Sequence, residues 1–336
     1  MPLRRGVVVG AGGVARLAHL PAYTRDPLVA ARLRIVGAVD PVVPPPDLDD
    51  LAIFPSLDAA TRAGPIDFVD ICTPTATHHQ LVLDALARGL DVFCEKPVAV
   101  TAQSARELAA AARAAGRVLF PCHQYRQNPA WIALCRWIDS GAIGRWHLAE
   151  FHVYRGEADR GAATAAGVPW RARKTESLGG VLLDHGTHLL YLLLDVGGMP
   201  MAIQAHLSRL GHQGYDVEDT AHLMLDYGDR LATLTLTWAG QQRENRIRFI
   251  GDQGMVEWVG GMLRLVRRDG TAEAVDFAAQ LDKREYAVWM SRVLGHFADA
   301  MDRGEGDAGL GEIQRVATLL EAAYHSAAEG CRVTLG

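Results

Sequence analysis

The segment GGVLLDHGTHLL, residues 179–190, contains the pair best suited to move a proton. Asp184 and His188 are four residues apart, a spacing that places both on one face of a helix. A carboxylate beside an imidazole can orient the ring and hold its tautomer, so the pair predicts a general base. Two alternatives stay open, an ordinary surface contact and a pair of metal ligands. A metal would need further ligands at suitable spacing, and none stands out, so we expect no metal.

A lysine is the second candidate. Lys96 lies in Glu95-Lys96-Pro97, directly after a strand-like run, and it is one of only three lysines among 34 basic residues. Thr73-Pro74 follows another such run. Ligands of open α/β sheets bind at the carboxyl ends of the strands, where this lysine could hold a substrate oxygen and stabilise its charge. A solvated Glu–Lys pair is the alternative.

A glycine-rich segment follows the first strand-like run. It reads Gly10-Ala11-Gly12-Gly13-Val14-Ala15, a GxGxxA pattern between a strand and a helix. The first glycine permits a tight turn, Gly12 lets the backbone approach a pyrophosphate, and Ala15 lets the helix pack closely on the strand. The pattern therefore predicts a dinucleotide site. The alternative is a glycine-rich turn in another α/β fold.

The cofactor choice depends on Asp40, which ends the second strand-like run. A carboxylate there can accept hydrogen bonds from a ribose 2′-hydroxyl and would repel a 2′-phosphate. The next residue is Pro41, not an arginine that would favour NADP. Asp40 lies 28 residues after Gly12, beyond the usual spacing of about 20, so the intervening connection must be long. We expect NAD, with NADP disfavoured. A turn or N-cap aspartate is the alternative.

The elements that must position these residues change character along the chain. The first part alternates helical patterns with near-continuous apolar runs, which are typical of parallel strands covered on both faces. The runs are residues 5–10, 34–40, 66–72, 91–94 and 117–120. Thr77 to Gln80 fits a capping box for a helix ending at Gly89, and Thr101 can cap a helix ending at Gly116. PVVPPPDLDD (41–50) predicts a surface loop.

The second part predicts a mostly antiparallel α+β domain. Its helical patterns cover 130–140, 180–195, 286–303 and 311–329, and its strand-like runs cover 145–155, 202–210, 217–227, 230–239, 244–251, 254–259 and 262–268. The tight turn 227–230 joins two strands and predicts antiparallel pairing. The fold class is thus α/β, with an N-terminal Rossmann domain (1–122) built on a doubly wound parallel sheet. A C-terminal α+β domain (123–336) carries a large, open, mostly antiparallel sheet.

Composition excludes several classes of protein. The 336 residues are 49% hydrophobic and 22% charged, with a net charge of −5, so neither disorder nor a polyanion-binding surface is expected. We expect no nucleic-acid partner and, because no apolar run reaches about 18 residues, no membrane span. MPLRRGVVVG is interpreted as a first strand rather than a signal peptide. Five cysteines without a CxxC spacing indicate small buried thiols in a reducing cytoplasm.

Several segments resemble the Gfo/Idh/MocA oxidoreductases, relatives of glucose–fructose oxidoreductase and inositol dehydrogenase. They are residues 7–23, 70–102, 125–129 (YRQNP) and 179–190, with weaker agreement over 218–238 and 251–258. The resemblance implies a catalytic set of Lys96, Asp184 and His188, with His188 as the acid/base. It also places His78 on the nicotinamide side of the cleft and Arg126 near the substrate. In the segment WRARK, Trp170 and Arg171 are candidate substrate contacts, with a solvated basic loop as the alternative. The predicted cofactor-binding residues are Gly10, Gly12, Gly13, Val14, Ala15, Asp40, Thr73, Pro74, His78, Glu95 and Lys96.

The resemblance implies reversible hydride transfer between nicotinamide and a carbinol carbon of a sugar, cyclitol or related polyol. Two alternatives stay open. One is a glycosidase of the same fold that oxidises its sugar transiently with retained NAD. The other is a non-catalytic NAD-binding sensor, although such proteins often lose the lysine or the Asp–His pair. Because helices are too few to cover both faces of the second sheet, we also expect a homodimer or homotetramer formed through it.

Overall fold

The computed structural model describes residues 2–41, 48, 51–158, 167–281 and 285–335. The strands are β1 (Arg4–Val9), β2 (Leu33–Val39), β3 (Ala52–Phe54), β4 (Phe68–Ile71), β5 (Asp91–Cys94), β6 (Leu119–Pro121), β7 (Trp146–Tyr154), β8 (Ala202–Ser208), β9 (Thr220–Asp226), β10 (Leu231–Thr237), β11 (Glu244–Gly251), β12 (Gly254–Val259), β13 (Met262–Arg267), β14 (Ala272–Asp276) and β15 (Val333–Thr334). The helices are α1 (Leu20–Arg25), α2 (Pro27–Ala30), α3 (Leu57–Ala63), α4 (His78–Ala87), α5 (Ala102–Ala115), α6 (Pro129–Asp139), α7 (Lys174–Ser177), α8 (Thr187–Gly197), α9 (Tyr286–Arg303) and α10 (Leu310–Glu329). Two π-helical segments, Ala15–His19 and Leu182–Gly186, precede α1 and α8.

The chain forms two compact units. The first comprises Met1–Gln127 and Lys283–Gln314, and the second comprises Asn128–Asp282 and Arg315–Gly336. These units show which parts of the chain pack together. The domain division at residue 122 stays a prediction.

The first unit is built on a six-stranded parallel sheet with the order β3-β2-β1-β4-β5-β6. Every residue of β4 and β5 is buried, as expected of central strands covered on both faces. The order reverses next to β1, which makes the sheet doubly wound and opens a crevice at the carboxyl ends of the strands. The predicted Rossmann topology is confirmed. The predicted surface loop 41–50 lies mostly outside the described residues.

One helix cap is confirmed and one is wrong. The Thr101 side chain accepts a hydrogen bond from Ser104 N, and α5 ends at Gly116 in a left-handed conformation. Thr77 makes no such cap, because a preceding 3-10 turn keeps its backbone helical and its side chain cannot reach the next turn. Its hydroxyl instead donates to Pro74 O at 2.8 Å and lies 2.7 Å from Thr73 Oγ1.

Helix α9 packs on the first unit although it lies late in the sequence. The fully buried Phe297 forms ring contacts with Phe68 and Phe93, at centroid distances of 5.7 and 5.5 Å. Residues from α1 and α2, including Tyr23 and Val29, belong to the same apolar cluster. The apolar face of α9 is thus buried against strands that lie more than 200 residues before Phe297 in the sequence.

The second unit is built on a nine-stranded sheet with the order β14-β13-β12-β11-β7-β10-β9-β8-β15. Only β7 and β10 pair in parallel among its described strands. The tight turn at 227–230 joins β9 to β10 as predicted. The expectation of a large, mostly antiparallel sheet is confirmed.

Alternation along β10 shows how the second sheet distinguishes its two faces. Ala232, Leu234 and Leu236 are fully buried, whereas Thr233, Thr235 and Thr237 on the opposite face are partly exposed. The period of two fixes the register, since a slip by one residue would expose the whole apolar set. A polar face therefore remains on this sheet.

The cysteines are all free thiols, as expected. Cys72, Cys94 and Cys122 are buried, whereas Cys135 is half-buried and Cys331 is exposed, so burial holds for three of the five. Within the described residues, no helix is both long and apolar enough to cross a membrane.

We expect Phe297→Ala to lower the free energy of unfolding by about 3–5 kcal/mol, because it removes the ring shared by three aromatic contacts and leaves a cavity. Chemical denaturation measures this. The control is Leu28→Ala, whose side chain is 76% exposed and whose change should stay within about 0.5 kcal/mol. Equal effects of the two variants would contradict the packing of α9 on the first sheet.

Candidate active site

The glycine-rich turn closes the gap between β1 and the first helical turn. Gly10 has a φ of +90°, a conformation that favours glycine. A Cβ at Gly10 would lie 2.8 Å from Thr73 Cγ2 and 3.0 Å from Thr73 N, so the turn packs directly against the segment after β4. Ala15 is fully buried against Val8 and Cys72. Both residues therefore do what the sequence pattern requires.

Gly12 and Gly13 differ from Gly10. Both are exposed, and a Cβ at either position would meet no protein atom within 4 Å. The protein itself therefore does not require glycine there, whereas a pyrophosphate approaching the backbone would. Asp40 lies beside this turn, because its Oδ2 accepts a hydrogen bond of 2.8 Å from Ala11 N. The turn and the carboxylate together fit a dinucleotide.

Lys96 follows β5 at the carboxyl edge of the same sheet and is half-buried. Glu95 before it is only 6% exposed, and its Oε2 accepts from the Lys96 backbone N–H at 3.0 Å. Its Oε1 lies 2.9 Å from Nε2 of His19. Burial alone would raise the pKa of Glu95, but the hydrogen bond and charge of His19, together with Lys96, lower it to about 2. The Glu95 side chain is thus directed into the protein.

His78 joins the two strand-end segments. Its Nδ1 lies 2.8 Å from Pro97 O, and its Nε2 lies 2.9 Å from Thr73 O. The residue is 2% exposed, and burial lowers its pKa. His78 therefore connects the backbone of the two strand-end segments. Its contact with the cofactor stays a prediction.

In the second unit, the π-helical segment Leu182–Gly186 carries Asp184. Such widened turns occur often at functional sites. Glu218 anchors its start, since Oε1 accepts from Leu182 N at 3.2 Å and from the Tyr324 hydroxyl at 2.7 Å. Burial raises the pKa of Glu218, although these hydrogen bonds oppose the shift. Sequence reasoning did not single out Glu218 or Tyr324, which lie far from the segment they support.

One hydrogen-bond partner of His188 is a residue that the sequence analysis missed. Nδ1 of this buried histidine lies 2.8 Å from the hydroxyl of Tyr191, which is fully buried on the same helix. The signal was present in the sequence, because an i,i+3 pair on α8 shares one face. Tyr191 therefore holds one nitrogen of the ring, and the orienting role that the sequence analysis gave to Asp184 stays a prediction.

Asp184 lies beside the predicted substrate-binding residue Arg171. Its Oδ1 lies 3.6 Å from Nε of Arg171, and its Oδ2 lies 3.1 Å from Nδ1 of His185. The Arg171 guanidinium stacks over the Trp170 ring at 4.5 Å, a cation–π contact. Trp170, Arg171 and Asp184 are thus brought together, and His188 follows Asp184 on the next turn.

Arg126 is engaged with another side chain in the first unit. It forms an ion pair with Glu312, which also accepts from His123 at 3.0 Å. Burial opposes ionisation of Glu312, but His123 and Arg126 lower its pKa to about 2. The assignment of Arg126 to the substrate stays a prediction.

Comparison with known proteins matches both parts of the chain. Residues 4–123 match the profile described as the oxidoreductase family, NAD-binding Rossmann fold, and residues 131–257 match the GFO/IDH/MocA C-terminal domain. The chain belongs to the Gfo/Idh/MocA oxidoreductase family. The glycine-rich turn of this family member thus lies in an NAD-binding domain, and the protein is an oxidoreductase.

Curated members of the Gfo/Idh/MocA family align over different shares of their length. The 1,5-anhydro-D-fructose reductase of Ensifer adhaerens is 29% identical over 69% of this chain and 70% of its own. The D-glucoside 3-dehydrogenase of Escherichia coli is 26% identical over 98% of this chain and 97% of its own. An uncharacterised oxidoreductase of Bacillus subtilis is 28% identical, but the match spans only 53% of that protein.

A solved structure confirms the fold. GenD2 from gentamicin A biosynthesis, in complex with NAD, superposes with a TM-score of 0.84 at 24% identity, covering 100% of this chain and 97% of that chain. At this identity the likeness concerns the fold.

Gly12→Ala should separate ligand binding from folding. Because no protein atom opposes a Cβ there, we expect an unchanged melting temperature. We expect the Kd of NADH to rise by about tenfold or more, which corresponds to about 1.4 kcal/mol of lost binding. Fluorescence titration and thermal unfolding measure the two effects. Gly64→Ala, another position open to a Cβ, is the control. Unchanged NADH binding in Gly12→Ala would show that the dinucleotide does not approach this turn.

Proposed function

We propose that this oxidoreductase uses NAD to oxidise a carbinol carbon of a sugar, cyclitol or related polyol, or to reduce the corresponding ketone. The observation that carries the proposal is the Lys96 turn. It lies at the carboxyl edge of the Rossmann sheet and is held on one side through Glu95 and on the other through Pro97. A lysine held in this way suits a developing alkoxide better than a solvated surface charge.

The protein residues bind and orient the substrate and move one proton. NAD, when bound, supplies the hydride acceptor. The Lys96 ammonium donates a hydrogen bond to the reacting oxygen and stabilises its negative charge. His188 accepts the hydroxyl proton, and Asp184 accepts a hydrogen bond from the substrate while remaining beside Arg171.

The contact of His188 with Tyr191 is compatible with the ring tautomer that the proposed base needs. For Nε2 to accept a proton, Nδ1 must carry the hydrogen, and it then donates to the Tyr191 hydroxyl at 2.8 Å. The Tyr191 hydroxyl can accept this hydrogen bond, so the contact supports the tautomer that acts as a base.

The substrate class follows from the residues around Asp184. Trp170 offers an apolar ring face, while Arg171 and Asp184 offer a donor and an acceptor close together. A polyol presents both hydroxyl groups and C–H faces, so it suits this set. The curated relatives named for 1,5-anhydro-D-fructose and D-glucosides are consistent with that class. Within this proposal the protein acts in the cytoplasm, as a homodimer or homotetramer formed through the polar face of the second sheet.

A screen of polyols with NAD tests the proposed function. The panel comprises myo-inositol, scyllo-inositol, D-glucose, methyl glucosides and the corresponding phosphates, and NADH formation at 340 nm is the readout. Net NADH formation with one class of polyol supports the proposal. Release of methanol from a methyl glucoside without net NADH would instead support the glycosidase. Stable NADH binding with no turnover across the panel would support the sensor.

Wild-type protein should bind NADH at least about tenfold more tightly than NADPH. Asp40 would accept a hydrogen bond from the ribose 2′-hydroxyl of NADH and would repel the 2′-phosphate of NADPH. Asp40→Asn should narrow this difference, since the amide keeps an acceptor for Ala11 N but carries no charge. Fluorescence titration with both cofactors is the measurement. The control is Asp58→Asn, an exposed carboxylate on α3. Equal wild-type affinities would mean that Asp40 does not meet the ribose.

His188→Ala should lower turnover by about 10²–10⁴-fold, the range for loss of a general acid–base residue. Lys96→Met should also damage turnover, and both variants should still bind NADH. Tyr191→Phe should have a smaller effect, since Nδ1 of His188 loses its contact with the hydroxyl while Nε2 can still act as the base. Steady-state kinetics and NADH titration measure these effects. The control is His296→Ala, an exposed histidine on α9. Full activity of His188→Ala would remove His188 from the mechanism.

A further inference from the structure

A buried cluster of ionisable side chains lies inside the first unit, between the glycine-rich turn and the Lys96 turn. His19 is fully buried at the end of the π-helical segment Ala15–His19. Its Nδ1 lies 2.9 Å from both carboxylate oxygens of Asp70, and its Nε2 lies 2.9 Å from Oε1 of Glu95. Tyr23 also donates to Asp70 at 3.0 Å. The proton transfer proposed above uses none of His19, Asp70 and Tyr23.

The contacts fix the charge of the His19 ring. A carboxylate only accepts, so each ring nitrogen that bonds to one must carry a hydrogen. The two buried carboxylates would also repel each other without a cation between them. Burial alone would lower the pKa of His19, but the charge and hydrogen bonds of Asp70 raise it well above its usual value. His19 is therefore an imidazolium.

The chain of hydrogen bonds continues to the lysine. Glu95 accepts a hydrogen bond from His19 Nε2 at Oε1 and one from the Lys96 backbone N–H at Oε2. The carboxylate therefore transmits the position of the imidazolium to the residue that carries the reacting ammonium. At the other end of this chain of hydrogen bonds, His19 ends the π-helical segment Ala15–His19, which begins at the last residue of the glycine-rich turn.

We propose that His19 is a positioning residue for hydride transfer. As an imidazolium between Asp70 and Glu95, it fixes the turn Glu95-Lys96-Pro97 relative to the glycine-rich turn, residues 10–15. This inference rests on the proposed function for its kinetic consequences. The geometry it invokes lies wholly within the first unit.

The same cluster contains side chains of metal-ligand type, and a metal is the competing interpretation. His19 with Asp70 and Cys72 forms one such group, and His19 with Glu95 and Cys122 forms another. Each ring nitrogen already lies 2.9 Å from a carboxylate, and burial raises the pKa of both thiols. A cation centred on the ring thus already balances the carboxylates. Stoichiometric metal retained by the purified protein would overturn the proposal.

The first test needs no substrate. In ¹⁵N-histidine-labelled protein, we expect one of the 13 histidines to keep both ring nitrogens protonated at about pH 8.5, about two units above the ordinary histidine pKa. This signal should be absent from His19→Gln. A neutral ring that titrates near its ordinary pKa would overturn the proposal.

The second test uses the scarcity of lysine. With three lysines in the chain, lysine-labelled protein gives three side-chain signals, and Lys96→Met assigns one of them. We expect the Lys96 signal to move in His19→Gln and to stay in place in Asp91→Asn. Asp91 is a matched control because it is a buried carboxylate at the opposite end of β5, where it accepts from Val118 N at 2.8 Å. Equal displacement in both variants would indicate a merely structural role.

The third test is kinetic and uses the polyol found active in the screen. His19→Gln should lower kcat by about tenfold to a hundredfold, since a misplacement of about 1 Å can cost about 10²-fold. The KM for the polyol and the Kd of NADH should change little. The acid limb of the kcat profile should move to higher pH, because Glu95 loses the cation that lowers its pKa. The other groups facing His19 are Asp70, Tyr23, Cys72 and Cys122.

A double variant distinguishes positioning from damage. Glu95→Gln in the His19→Gln background removes the one of the two uncompensated carboxylates that contacts the Lys96 backbone, so kcat should partly recover and the shifted acid limb should disappear. Additive losses without recovery would overturn the proposal. If no polyol is turned over, the proposed function fails, and the two spectroscopic tests still decide whether His19 positions Lys96.

Discussion

Two carboxylates lie buried in and directly after neighbouring central strands, and the first unit depends on the cation between them. Asp70 belongs to β4, and Glu95 follows β5 directly. Removing one partner of such a pair leaves an uncompensated charge, which commonly costs about 3–5 kcal/mol. His19 satisfies both carboxylates with its two nitrogens at once. The helical segment carrying His19, the strand carrying Asp70 and the turn carrying Lys96 are therefore joined by one residue.

The pKa values of the two buried histidines of this region shift in opposite directions. His19 faces carboxylates, which stabilise the cation, and its pKa rises despite burial. His78 faces the carbonyls of Thr73 and Pro97, which stabilise the cation less, and burial lowers its pKa. The identity of the acceptor, and not the depth of burial, therefore decides the direction of each pKa shift.

Local patterns were sufficient to predict the fold and the main motifs. The parallel sheet follows from continuous apolar runs, the second sheet from alternating ones, and the dinucleotide turn from glycines between a strand and a helix. The spacing of Asp40 has a structural explanation, because α1, α2 and the π-helical segment all precede β2.

Local sequence patterns could not predict contacts between residues that are distant in the sequence. Glu218 and Tyr324 support the Asp184 turn, and His19 supports Lys96, across separations that no local period encodes. The packing of Phe297 on the first sheet is missed for the same reason. The failed cap at Thr77 is different, since its type and spacing were right but the preceding turn kept its backbone helical.

The two units hold their reactive groups by different means, and this difference constrains how the proposed chemistry can vary. Lys96 is held through backbone atoms and fully buried ionic contacts, where a substitution leaves an unpaired charge. Asp184 and Arg171 are paired at 3.6 Å with both side chains partly exposed, and exposed pairs contribute only about 0–1 kcal/mol. Loss of the Arg171–Asp184 pair should therefore cost less stability than loss of His19. Under the proposed function, substrate preference can vary in the second unit while the first unit keeps the lysine and the dinucleotide turn in register.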